Sequence, residues 1–144
     1  MCAVLHPLRR FGSGALAAAA LGLLALPALP APAASLLSGL KLPVSGKLAP
    51  LFAANAIGQA SLNGQVGGTP ETLFAKVRSA LEQQGYKERT INTVTGAWGF
   101  NLVMDPPSGT TVDGTPSGKT AALILQSTAL GPGKLNLNVR FEGL

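Results

Sequence analysis

Asp105 and Asp113 come closest, among the residues of this chain, to a reactive pair. Asp105 precedes, and Asp113 lies within, a turn-rich segment, Pro106 to Gly118. Two carboxylates so placed could share acid–base work or supply oxygen ligands to calcium. Asp before Pro and Asp before Gly also open turns, and no calcium-loop spacing surrounds them. The other carboxylates, of six in all, are Glu71, Glu82, Glu88 and Glu142. The only His is His6 and the only Cys is Cys2. Beyond residue 6, therefore, no Ser-His-Asp triad, thiol nucleophile or ordinary zinc, copper or haem site can be assembled. Gly118-Lys119-Thr120 has the ending of a phosphate-binding loop, but Asp113 stands where the pattern needs its first glycine. Nothing in the sequence implies a cofactor.

Two other groups of residues could recognise a ligand. Trp98 stands in Gly96-Ala97-Trp98-Gly99-Phe100, and glycines beside a Trp leave open space that a ligand can enter. Its indole could stack on a sugar or an aromatic ligand, or it could be the bulk of a core beneath a helix. The basic residues Lys76, Arg78, Lys87 and Arg89 could meet anionic lipid, a cell-wall polymer or a partner protein. Glu82 and Glu88 lie among them, as on an ordinary solvated helix face.

The elements that must hold these residues follow from periodicity. Thr69 can cap a helix, Pro70 suits its first position, and Glu71 favours its positive end. Leu73, Phe74, Val77 and Leu81 recur at spacings of three and four, and Gly85 is a natural stop. A helix from about 70 to 84 is expected. Trp98, Phe100, Leu102 and Met104 then alternate with small or polar residues, as in a half-buried strand. Residues 120–130 form a second apolar run. Leu135, Leu137, Val139 and Phe141 alternate with Asn136, Asn138, Arg140 and Glu142, giving one apolar and one wet face. Gly131-Pro132-Gly133 joins these last two runs as a hairpin. The run Leu48 to Leu62 is Ala-rich and is read as a weaker, earlier helix, followed by an Asn63-Gly64 turn. The expected fold is α+β: a two-layer sandwich of one main helix on a three-stranded antiparallel sheet, in the order α-β-β-β.

Composition sets the outer bounds. The chain has 144 residues, 47% of them apolar and 12% charged, which fits one packed domain and excludes a disordered charged tail. The first 33 residues have the three parts of an export signal. Arg9 and Arg10 are basic, Ala15 to Leu26 is apolar, and Ala31-Pro32-Ala33 offers small residues for cleavage. Pro27, Pro30 and Pro32 break the apolar stretch well short of the roughly 20 residues a membrane helix needs. Residues 34–47 are expected to form a flexible arm and residues 48–144 the domain. Without Arg9 and Arg10, nine basic residues face six acidic ones, a net charge of +3 (9 − 6) and too diffuse for nucleic acid.

These observations lead to a small exported binding or interaction domain of the cell envelope, in the periplasm or secreted. Its expected partners are an envelope protein or a cell-wall polymer, and an exposed edge strand would allow a homodimer. A hydrolase using Asp105 and Asp113 is the alternative, and requires the two carboxyls to meet within about 5–10 Å in a pocket. A membrane-tethered structural protein is the other alternative, if the leader is retained.

Overall fold

The computed structural model describes residues 28–144, so the leader's basic and apolar parts lie outside the described residues. The main helix forms where its caps place it, as α2 (Pro70–Gln83; a shorter helix, α1, precedes it at Ala33–Ser38). Thr69 Oγ1 accepts from the Thr72 N–H at 3.3 Å, and Thr72 Oγ1 accepts from the Thr69 N–H at 3.2 Å. This reciprocal pair satisfies donors that an uncapped helix start would leave open. Leu73, Val77 and Leu81 are buried along one side. Phe74 meets Phe100 edge to face, with ring centroids 5.5 Å apart.

The sheet is larger than the sequence suggests. Among the described residues it has seven strands rather than three: β1 (Ala49–Phe52), β2 (Ala60–Gly67), β3 (Lys87–Glu88), β4 (Val94–Gly96), β5 (Gly99–Asp105), β6 (Ala121–Gly131) and β7 (Lys134–Gly143). All pairings between them are antiparallel, in the order β1-β2-β7-β6-β5-β3, with β4 also pairing β5. The expected α-β-β-β order is corrected accordingly, while the α+β class stands in broad terms. α2 carries the chain from β2 to the far side of the sheet. The meander β5-β6-β7 then returns and pairs with β2. The β6–β7 hairpin about Gly131 and Gly133 forms as its turn residues indicate.

Residues 48–62 are not a helix. β1 and β2 form a hairpin there, with Ala49 opposite Asn63 and Phe52 opposite Ala60. Asn63-Gly64 is not a turn but the middle of β2. Gly64 is needed for a different reason: a Cβ on it would lie 2.2 Å from the Lys47 carbonyl oxygen, which passes over the strand. Once Gly64 is read as a strand residue, Ser61 to Val66 alternates polar and nonpolar like β7, its neighbour.

One face of the sheet holds the core. Phe100, Leu102, Leu123, Leu125, Leu137 and Phe141 are fully buried on it, with α2 packed over β4, β5 and β6 and α1 over β2 and β7. The segment expected to be a flexible arm contributes to this core. Leu37 is 1% exposed, and Leu40, Leu42, Val44 and Leu48 pack against the same cluster. Part of the expected leader does so as well. Ala33 is buried, the Ala31 N–H donates to the Thr111 carbonyl, and the Ala31 carbonyl accepts from the Asp113 N–H. No helix among the described residues is long and apolar enough to cross a membrane.

Candidate functional site

Among the described residues no α-helix covers the opposite face of the sheet, and carboxamides cross its middle. Because paired residues of neighbouring strands point to the same side, the register places side chains in rows across the sheet. Asn63 of β2 lies opposite Asn138 of β7, Asn138 opposite Gln126 of β6, and Gln126 opposite Asn101 of β5. At strand spacings of about 4.8 Å, this row is about 14 Å long. Gln65, Asn136 and Thr128 form a second row beside it, roughly 7 Å away along the strands. Gln65, Gln126 and Thr128 are exposed and the Asn residues half-buried.

The amides are held in place by each other and by Arg140. Asn136 Nδ2 donates to Asn63 Oδ1 at 3.1 Å. Arg140 Nη1 donates to Asn138 Oδ1 at 2.8 Å and to Gln126 Oε1 at 3.3 Å. These bonds use the side-chain oxygens of Asn63, Asn138 and Gln126 and an N–H of Asn136, and the NH2 groups of Asn138 and Gln126 have no partner among the described residues. A ligand thus meets side chains whose rotamers are already restricted, which lowers the entropy lost on binding.

Trp98 borders this surface. It is not under the helix but in the two-residue turn between β4 and β5, where Gly96 pairs with Gly99, and it is 51% exposed. Val94 pairs with Asn101, so Val94, and Gly96 two residues on, face the same side as the amides. A Cβ on Gly96 would sit 2.6 Å from Trp98 Nε1, so the indole lies directly over that glycine. Gly96 and Gly99 continue the row of Thr128, Asn136 and Gln65, and the indole covers its end.

Two arginines on this face are ion-paired, while Lys134, two residues before Asn136 on β7, and Lys87, opposite Asp105, are exposed on it with no ion pair among the described residues. Arg140 Nε donates to Glu142 at 2.6 Å, and Arg89 Nε donates to Asp105 at 2.5 Å. Between the two arginines Val103, Ala122 and Ile124 form a small buried apolar cluster, with Ile124 opposite both Arg140 and Val103 in the ladder.

Comparison with protein-family models, with curated proteins and with solved structures finds no match to this chain.

The residues singled out by sequence fall in several places. Asp105 lines a cleft of about 440 Å³ under the 106–120 segment, together with Arg89, Thr110, Lys119 and Thr120. Its carboxylate is held by Arg89, which also donates to Thr120 Oγ1 at 3.0 Å. Asp113 is exposed and is not among the residues lining that cleft. The four basic residues do not act as one patch. Arg78 lies 5.6 Å from the Phe74 ring and 3.5 Å from Glu88, while Arg89 belongs to the cleft. Lys76 and Lys87 are exposed, on α2 and β3. Among the described residues no three His, Cys, Asp or Glu side chains gather as a metal group would. The amide rows were missed because they are assembled from four strands. Their only sequence signal is the polar half of each alternation, which equally describes a plain wet face.

Proposed function

We propose that this protein is a non-catalytic binding domain of the cell envelope, and that it engages an envelope polymer through the open carboxamide face of its sheet. The supporting observation is that surface itself: two rows of ordered, hydrogen-bonding side chains, ended by a half-exposed indole, on a sheet whose other face is filled by core. A rigid scaffold presenting fixed polar groups is what recognition without chemistry requires. Asp105 and Asp113 give no comparable support to hydrolysis, since Arg89 occupies the first and the second is outside the cleft. Export by the leader remains part of this proposal, because an envelope ligand is met only after export.

The test is co-sedimentation of the full chain with the insoluble polymer fraction of a bacterial envelope. The wild type should sediment with the polymer. Gln126→Arg puts an unpaired charge in the middle of the first row, at an exposed position where folding is little affected. It should reduce the bound fraction at least about fivefold, roughly 1 kcal/mol. Lys76→Ala on the helix face should leave it unchanged. Equal loss from both variants, or from neither, would remove the face as the binding surface.

A further inference from the structure

The core side of the sheet is not covered all the way to its β1 edge. Two apolar grooves lie there side by side, of about 280 and 360 Å³. Leu37, Pro50 and Leu62 line both, Phe52 borders the first, and Leu40 and Leu48 border the second. Phe52 is 70% exposed. Its neighbour Leu51, opposite Ser61, turns to the amide side of the sheet and is 56% exposed, so the edge is apolar on both sides. Other large apolar side chains left exposed, such as Trp98 and Leu130, line neither groove. The charge around the grooves has one sign. From Ala28 to Pro70 the chain holds Lys41 and Lys47 and no acidic residue. Lys41 follows Leu40, and Gln84 fixes its backbone by donating to its carbonyl at 2.8 Å and accepting from its N–H at 3.0 Å. Lys47 precedes Leu48, and its carbonyl passes over Gly64 on the grooves' side of the sheet. Both lysines are exposed, neither is in an ion pair among the described residues, and no carboxylate lines either groove.

We propose that this edge docks on an anionic lipid bilayer, with Phe52 and Leu51 entering the acyl boundary and Lys41 and Lys47 meeting the headgroups. Peripheral binding to such a bilayer adds the burial of apolar side chains to the attraction of nearby lysines for anionic lipid. Lysine suits the boundary because its stem lies along apolar surface while its ammonium stays in water. A protein partner fits less well, since lysine is depleted in protein interfaces. A second copy joining strand to strand would meet Pro50, which lacks the N–H that such pairing needs. The amide rows run from β2 across to β5, away from this edge, so a docked molecule keeps them open. Docking on lipid and binding of a polymer thus use separate residues and fail separately.

The test is flotation of the full chain with phosphatidylcholine vesicles that contain phosphatidylglycerol, against vesicles of phosphatidylcholine alone. Every variant is made in the full chain, so any pull of the apolar run Ala15 to Leu26 is common to all. The wild type should float with the anionic vesicles, bind the neutral ones more weakly, and lose that preference as salt is added. Phe52→Ser should weaken binding at least about fivefold, and Lys41→Gln with Lys47→Gln at least about tenfold. Gln126→Arg, in the amide row, should leave it unchanged. All four positions are exposed, so folding is little affected. Trp98 is the only Trp in the chain, so Phe52→Trp in a Trp98→Phe background puts the sole indole at the groove. Anionic vesicles should shift its emission to the blue, and brominated acyl chains should quench it. Three results would overturn the proposal. The first is equal binding to neutral and anionic vesicles, or none to either. The second is binding indifferent to both Phe52→Ser and the lysine pair. The third is reporter emission already blue without vesicles and unquenched with them, which would put another stretch of this chain or a second copy in the groove. Loss of flotation in Gln126→Arg as large as in Phe52→Ser would likewise count against this edge and move the lipid contact to the amide face.

Discussion

Trp98 shows how a single residue's environment is decided by its strand register. Its parity with Phe100, Leu102 and Met104 suggests a core position, yet a two-residue turn intervenes at Ala97-Trp98 and swings the indole onto the other face. The information is present in the flanking glycines, but it becomes legible only once Gly96 is known to pair with Gly99. Tyr86 is the opposite case, a polar-tipped aromatic that burial does constrain. It is 8% exposed, and desolvation pushes its phenol above the ordinary value of 10.0. A raised value means that the folded state holds the proton longer than the unfolded chain does. Its contribution is therefore complete below about pH 10 and is lost as pH rises beyond it. Urea midpoints of wild type and Tyr86→Phe should differ by a constant amount up to about pH 9. Above that the wild type should fall faster. Parallel decline to about pH 11 would show that Tyr86 ionises as freely folded as unfolded.

At the scale of elements, what the sequence reveals depends on how local the cause is. The helix α2 is legible because its cap, its first-turn proline and its apolar stripe all lie within its own residues. The β6–β7 hairpin is legible for the same reason. β1 and β2 are not, because alanine suits a helix as well as a strand and Gly64 imitates a turn while making room for the Lys47 carbonyl. Only the long-range pairing of β2 with β7 resolves the ambiguity. The free edge at β1 also depends on local detail. The Ala53 N–H donates to the Gln59 carbonyl, so Ala49 and Leu51 face β2 while Pro50 and Phe52 face outward. Pro50 has no N–H to offer a second chain, which blunts this edge against strand-to-strand association.

The segment before Ala34 belongs to this scale as well. Ala31 and Ala33 secure α1 and the 111–113 stretch together, so a chain beginning at Ala34 loses at least three backbone hydrogen bonds, the two of Ala31 and that from the Leu36 N–H to the Pro32 carbonyl, and a buried methyl group. At about 1 kcal/mol per bond, that chain should be less stable by about 3 kcal/mol than one beginning at Ala28, as measured by urea denaturation. Equal stability would mean that the Ala31 contacts contribute nothing to the fold.

Over the whole molecule, the two faces of the sheet divide the work. One is covered by both helices and by the leucines of residues 36–48, and it supplies the stability. The other carries a lattice of amides with Lys87 and Lys134 exposed beside it, and no α-helix among the described residues covers it. The α+β class could be read from the sequence, but the extent of the sheet could not. The candidate site was legible only in Trp98, since its other members are brought together by four separate strands. The account therefore depends on whether the amide face is where a ligand sits. The most direct measurement is a titration of the ¹⁵N-labelled full chain with soluble fragments of the envelope polymer, followed by NMR. The side-chain NH2 signals of Asn101, Gln126 and Asn138 and the Trp98 indole N–H should shift together, with α2 unaffected. Shifts confined to the 106–120 cleft or to α2 would contradict the account and place binding elsewhere on the molecule.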